Sequence, residues 1–473
     1  MIPAELTSDI DRTHADLSPE ARRFLDYARE HPAALRPFDQ RLARFAGVQD
    51  EFLIHYKYPI QTWPVLLRRR KLREIEHATV QIPLLLRSLP ERAFGNDPKR
   101  ISEFYGIGDE ALVTLYQTPP DGLEEAVARC DLIDTESGLK CVEVNQSANI
   151  GGWQIRFWEA FCRRHPPNAR FLEQEELKPR FRDPLRTVIH HMVKTVLSRG
   201  IATQGVLNVA LVFDADDVRI VEGGAEHMKD LYHRVLASVD PALEGELVIA
   251  SYPGRFAVRK GIFLYHDEAP VHALLQYTAQ ATPPNVFRCF KAETLSLFNS
   301  PLANVLANKL SLAMLSELAD TPVFDARERA VVHEHVPWSR KVTEAPTTFQ
   351  DTTAPAPELL RTRREDMVLK RGMSYQGLDV FVGRFTAAAE WERRVDVALA
   401  EGGWVAQEYL RSRPYLFQHG DEGCCAHDAV WGTFCFGRTY GGGFLRLAPR
   451  SSNAYKGVLN SARGAVGAIF YEI

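Results

Sequence analysis

The stretch Arg129-Cys-Asp-Leu-Ile-Asp-Thr-Glu-Ser-Gly-Leu-Lys-Cys-Val-Glu-Val-Asn145 constrains the fold more than any other part of the chain. Its residues alternate in two runs around Glu136-Ser137-Gly138, where the glycine suits the positive φ of a bulged turn, so the pattern predicts a β-hairpin. A three-residue loop sets Thr135 opposite Leu139, Asp131 opposite Glu143 and Arg129 opposite Asn145. These last four polar side chains then share one face, with Leu132, Val142 and Val144 on the other. Two carboxylates directly across adjacent strands repel each other. A divalent cation removes that repulsion, because two carboxylates and an Asn carbonyl oxygen are hard ligands of the kind Mg²⁺ accepts, with water and phosphate oxygens completing the shell. Arg129 beside them predicts a clamp for a phosphate or a developing oxyanion. On this segment alone, a solvent-exposed hairpin with hydrated charges is the competing reading.

The rest of the chain bounds the setting. At 473 residues it exceeds one simple core and predicts two to four substructures, with 45% apolar residues to fill them. The net charge of -4 gives no field that calls for nucleic acid or an anionic membrane, and neither is expected as a partner. The basic run Arg68, Arg69, Arg70, Lys71 and Arg73 lies in a helical pattern and reads as a solvated or phosphate-facing stripe. Seven irregularly spaced cysteines point to a reducing compartment, and a start without a basic n-region and apolar h-region points to the cytoplasm.

Along the chain, residues 1–125 form a helix-rich N-terminal region, with Ser18 as an N-cap before Pro19 and a helix from Val65 to about Val80 that stops before Pro83. Residues 126–300 hold the hairpin, a helix after Trp153, and strand-like runs at Val206–Phe213, Glu246–Ser251 and Gly261–Tyr265 around a helical segment from Ala225 to Ala237. That region reads as an α/β layer bearing metal and substrate groups. Residues 301–473 read as a nucleotide-binding region with its lid. It contains an apolar helix from Ala303 to Leu318, a Thr- and Pro-rich connection from Thr343 to Pro357, and a long hairpin from Ala429 to Leu447 turning at Gly441-Gly442-Gly443.

Two lysines extend the phosphate reading. Lys370 ends the apolar strand Met367–Arg371 directly before a loop bounded by Gly372 and Gly377, whose backbone N–H groups suit phosphate oxygens. Lys309 interrupts a leucine-rich helix, where it either snorkels to solvent or points at a ligand. The strand Trp404–Leu410, carrying Gln407 and Glu408, offers an edge for adenine, and Arg446 follows a glycine turn within reach of a phosphate.

Carboxylate hairpin first and lysines after, these elements resemble the circularly permuted ATP-grasp ligases, especially the glutathionylspermidine synthase-like family. Arg129-Cys-Asp131 followed by Glu143-Val-Asn145 is similar to that family's R-x-D and E-x-N pattern at the same separation. The resemblance covers roughly residues 125–473 and implies an α+β ATP-grasp fold in permuted order, with ATP and Mg²⁺ as cofactors. By resemblance Asp131, Glu143 and Asn145 hold Mg²⁺, Arg129 is catalytic, and Lys309, Lys370, Gly372, Gly377, Gln407, Glu408 and Arg446 bind ATP. Ser147, Asn149, Trp153 and Arg288 are the candidates for the substrate pocket. Gln146-Ser147-Ala148-Asn149 replaces the family's acid-bearing sequence, which argues against glutathione as substrate.

The implied activity is an ATP-dependent carboxylate–amine ligase acting through an acyl phosphate and releasing ADP, its partners being small-molecule or peptide acids and amines. A nucleotide-binding pseudoenzyme that regulates a partner is the alternative from another class. Two further readings are weaker by spacing: zinc at Cys424, Cys425, His427 and Asp428, which lack C-x-x-C spacing, and a dinucleotide site at Gly106 and Gly108, where a third glycine is missing.

Overall fold

The computed structural model describes residues 4–31, 35, 59–117, 125–146, 150–152, 154–202, 204–214, 225–251, 256–278, 282–374, 377–419, 423–452, 455 and 457–473. It is a mixed α/β protein of several sheets flanked by helices. Numbered along the chain, the strands are β1 (Val65–Leu67), β2 (Val127–Thr135), β3 (Gly138–Asn145), β4 (Val209–Phe213), β5 (Leu247–Ala250), β6 (Phe256–Arg259) and β7 (Ile262–Tyr265). There follow β8 (Ala269–Pro270), β9 (Ala273–Tyr277), β10 (Ser296–Phe298), β11 (Ser339–Lys341), β12 (Pro346–Phe349), β13 (Thr352–Pro355) and β14 (Met367–Arg371). The last are β15 (Val380–Val382), β16 (Trp404–Glu408), β17 (Tyr415–Gln418), β18 (Cys424–Phe436), β19 (Thr439–Pro449), β20 (Val466–Ala468) and β21 (Phe470–Glu472).

The centre is a six-stranded antiparallel sheet in the order β20-β19-β18-β2-β3, with β17 pairing the start of β18. One side is held by the helix Arg69–Arg92, whose buried Leu72, Ile75, Ile82 and Leu86 join the main core with Cys130, Leu132 and Val144. A parallel sheet, β10-β9-β4-β5, carries the helices Pro184–Ser198 and Ala225–Val239, and β6, β7 and β8 form a small antiparallel sheet of their own. A four-stranded sheet, β11-β16-β14-β15, has a separate core built on Leu369, Trp391, Trp404 and Ala406.

Several local expectations change in the folded chain. The segment from Val65 opens as a strand, and its helix runs to Arg92 through Pro83 and Pro90. Pro83 lacks the N–H that the Thr79 carbonyl needs, and the Cys130 thiol, 3.7 Å away, donates to that carbonyl from the neighbouring strand. The apolar helix around Lys309 is two helices, Pro301–Leu306 and Leu310–Leu318, broken at residues 307–309. The Thr- and Pro-rich connection pairs as the hairpin β12–β13, anchored by buried Phe349 and Ala354. The β18–β19 turn lies at Gly437-Arg438, not at the three glycines. Gly441 and Gly443 instead sit inside β19 because a Cβ at either would press to 2.4 Å from the Phe436 ring or 2.6 Å from the Gly432 carbonyl. Gly106, in the left-handed conformation, stops the helix Pro98–Tyr105, a role that accounts for it without a dinucleotide.

Candidate active site

The hairpin forms, and its open end has the expected register: Arg129 faces Asn145 and Asp131 faces Glu143. The turn is one residue tighter than expected, with Thr135 opposite Gly138. A β-bulge after Asp131 absorbs the difference, since Asp131 pairs with Glu143 and Leu132 with Cys141. Val142 is thereby the extra residue. A bulge frees backbone groups from the ladder, and the Val142 carbonyl accepts from Lys370 Nζ at 3.1 Å. The bulge thus joins the six-stranded sheet to the four-stranded one.

Strand alternation continues the polar face outward. Gly432 of β18 lies opposite Asp131, and Val430 lies opposite Arg446 of β19, so Arg446 shares the face and reaches Asp131 at 2.7 Å. Gly432 keeps that path open, because a Cβ there would stand 2.8 Å from the Phe444 ring and 3.3 Å from Arg129 Cδ. Arg129 Nε binds Asp131 Oδ1 at 3.0 Å, and its Nη1 donates to the Ile150 carbonyl. Burial alone raises the Asp131 pKa, but Arg129 and Arg446 outweigh it and hold the carboxyl below its usual range. The same balance raises Arg129: burial lowers its pKa, and Asp131 with Glu143 overcomes that.

The lysines come from the opposing elements. Lys309 stands at the helix break, its backbone N–H donating to the Gly372 carbonyl at 3.0 Å while Asn308 Oδ1 caps Leu310 N. Its Nζ lies 3.3 Å from Glu143 Oε1 and donates to the Ser374 carbonyl at 2.9 Å. Lys370 is buried, donates to Gln407 Oε1 at 2.7 Å, and is pushed down to about 8 by burial, against the pull of Glu143. Gln407 Nε2 in turn donates to Ser339 Oγ at 3.0 Å.

Four cations therefore surround two carboxylates, a surplus that favours an anion over a bare metal ion. Asn145 Nδ2 and Arg446 Nε are buried donors without a hydrogen-bond partner among the described residues, and both suit an oxyanion. Described His, Cys, Asp and Glu residues form no group of three that could hold a metal. Asp131, Glu143 and Asn145 carry oxygen donors of the kind Mg²⁺ accepts, and they would suit it only beside phosphate oxygens, whose charge would offset the surrounding cations.

The remaining expected residues fall into four groups. Gly372 and Gly377 act in packing: a Cβ on Gly372 would lie 2.5 Å from Asn308 Oδ1 and 2.7 Å from the Gly403 carbonyl, and one on Gly377 2.8 Å from Val458. Gly372→Ala is therefore expected to destabilise the chain by about 1–3 kcal/mol, read as a lower denaturant midpoint, because the Gly403 carbonyl is backbone and the Asn308 side chain is held by its cap on Leu310 N. Strand β16 offers no free edge to adenine: it lies between β11 and β14, and the Glu408 amide donates to the Trp338 carbonyl. The Glu408 carboxylate accepts from Trp338 N at 2.9 Å. Arg288 is exposed on the helix Pro284–Lys291, and no hydrogen bond or ion pair of the described residues joins it to the hairpin. Ser147, Asn149 and Trp153 lie outside the described residues.

Sequence reasoning missed a cavity that continues this face. It measures about 80 Å³ and is lined by Ile133, Val430 and Ala448 from the face that bears Asp131 and Arg446, by Phe385 and Tyr409, and by the ion pair of Asp428 with Arg450. Its only sequence signal is the alternation of β2 and β18, readable once their pairing is known. His427 and Asp428, adjacent on β18, point to opposite faces, and Asp428 pairs with Arg450 at 2.7 Å. The basic run near residue 70 is likewise engaged: Arg68 binds Glu20 at 2.7 Å, and buried Lys71 binds Asp134 at 2.9 Å.

No protein-family model matches the chain, and no curated protein is similar to it. A solved structure described as a "putative gamma-glutamylcysteine synthetase" from Methylobacillus flagellatus KT is similar over 83% of this chain and 88% of its own, at 12% identity and a TM-score of 0.40. A likeness of that size decides neither fold nor chemistry. Among the described residues no helix is long and apolar enough to cross a membrane.

Proposed function

We propose that the chain is an ATP-dependent carboxylate–amine ligase with an ATP-grasp site in permuted order. The observation that carries the reading is the convergence of Arg129, Arg446, Lys309 and Lys370 on Asp131 and Glu143 between two sheets. In this reading Lys309 and Lys370 bind the phosphates, and the cavity beside Val430 and Tyr409 takes the base. That cavity is smaller than a nucleotide site, so it would have to widen to admit ATP. Asp131, Glu143 and Asn145 would hold Mg²⁺, which when bound would supply neutralisation of phosphate charge.

The chemistry needs no protein nucleophile. A substrate carboxylate oxygen attacks the γ-phosphorus, the bond to the β,γ-bridging oxygen breaks, and ADP leaves. A neutral amine then attacks the acyl carbon, the C–O bond breaks with its electron pair going to inorganic phosphate, and the amine proton passes to solvent. Arg129 and Arg446 face the anion that develops at each step, which is where prearranged cations lower the barrier most.

Mass-spectrometric screening of acids and amines with Mg-ATP is the test. ADP and a condensed product are expected, with Glu143→Gln losing ADP formation. Release of AMP, or full turnover by Glu143→Gln, overturns the assignment.

A further inference from the structure

The chain carries a second cationic site that shares no lining residue with the hairpin. A cavity of about 570 Å³ is bounded by Arg156 from the helix Ile155–Arg164, Arg180 and Arg182 from the following loop, Arg186 from the helix Pro184–Ser198, and Arg234 from the helix Ala225–Val239. Two acids, Asp183 and Glu472, share the lining. Both are engaged: Asp183 binds Arg156 and caps the helix amides of Leu185 and Arg186, while Glu472 binds Arg182 at 3.0 Å. Arg156 also donates to His227 Nε2 at 3.1 Å, and Arg182 stacks over Tyr440 with 5.3 Å to the ring centre. These two guanidinium groups are thus held in place as walls.

The other three have no such partner. No carboxylate of the described residues lies within ion-pair distance of Arg180, Arg186 or Arg234. The surplus is three positive charges around one cavity, in a chain whose net charge is -4. Arg186 and Arg234 come from two helices packed against each other. Guanidinium groups converging from separate elements match the geometry of carboxylate and phosphate oxygens, which accept two parallel N–H bonds each. A concave, cation-lined wall also concentrates anions from solution.

We propose that this cavity binds a small molecule carrying two or more anionic groups, held by Arg180, Arg186 and Arg234 and walled by Arg156 and Arg182. The ligand chemistry is that of a polycarboxylate or a polyphosphate. The helix N-terminus contributes little, because Asp183 already occupies its amides.

The test is calorimetric titration of the full chain with citrate and, separately, with inorganic tripolyphosphate. Wild type is expected to bind at least one of them with an affinity that falls as salt is raised. Arg186→Gln/Arg234→Gln is expected to weaken that binding at least about tenfold, whereas Lys370→Met leaves it in place. Both arginines are exposed, so the double variant should keep the wild-type melting temperature, and Arg180→Gln gives an independent second variant. Preference for citrate identifies a polycarboxylate ligand, and preference for tripolyphosphate a polyphosphate. The proposal is overturned if neither probe binds, if the arginine variants bind as wild type does, or if Lys370→Met alone abolishes binding, which would place the anion at the hairpin. ATP turnover does not enter any of these readouts.

Discussion

Asp131→Asn is expected to lower the stability of the folded chain by about 3–5 kcal/mol and to stop ADP formation. Asp131 is 5% exposed and lies 3.0 Å from Arg129 Nε and 2.7 Å from Arg446 Nη2. An amide has nearly the same shape, so packing survives, but two buried guanidinium groups lose the anion that offsets their desolvation. Chemical denaturation checks the stability, and product analysis with Mg-ATP the turnover. The pH dependence has a definite sign. Because the folded-state pKa of Asp131 is depressed, its contribution is fully present above the ordinary carboxylate range and is lost as pH falls through the folded value. Asp131→Asn should therefore lack part of the acid-induced loss of stability seen in wild type. A wild-type-like denaturation midpoint in the variant would show that the two arginines do not depend on this carboxylate.

Lys370→Met is expected to reduce kcat/KM for ATP by about 10²-fold, with folding intact. The lysine is buried, and its Nζ bridges the Val142 carbonyl of one sheet and Gln407 of the other; in the proposed ligase it binds phosphate there. Burial brings its pKa to about 8. Only the protonated form attracts phosphate, so kcat/KM should fall as pH rises through about 8. The limb in kcat should lie higher, because bound phosphate favours the charged ammonium. Lys370→Arg removes the limb from both profiles, since guanidinium stays charged. Stability runs the other way. The folded pKa lies below the ordinary 10.5, so the unfolded chain binds more protons across that window and stability rises with pH from about 8 to 10.5. An alkaline limb unchanged in Lys370→Arg would remove Lys370 from nucleotide binding.

The four residues at the hairpin's open end are the part of this protein most legible in the linear chain. Arg129, Asp131, Glu143 and Asn145 are joined by one short turn, and period-two alternation decides which side chains share a face. Even there the turn proved tighter than the glycine suggests, and the bulge at Val142 restored the pairing of the acids. Local chemistry thus specified who faces whom, while the ladder chose where to absorb the extra residue.

Everything that depends on segments meeting from far apart was settled by packing. Arg446 reaches Asp131 only because β18 lies between their strands with a glycine at the crossing point, and the Thr79 carbonyl that Pro83 leaves without a helix partner accepts from the Cys130 thiol of a distant strand. Gln407 shares a face with Lys370 because β16 pairs it with Val368, two residues before Lys370 on β14. The arginine cavity draws on three helices, a loop and the final strand, whose sequence neighbours give no sign that they converge. Strand alternation and turn chemistry act over a few residues, so the chain's own pattern places the hairpin. Burial and ion pairing act across hundreds, so the cations around it and the second cavity exist only in the assembled fold.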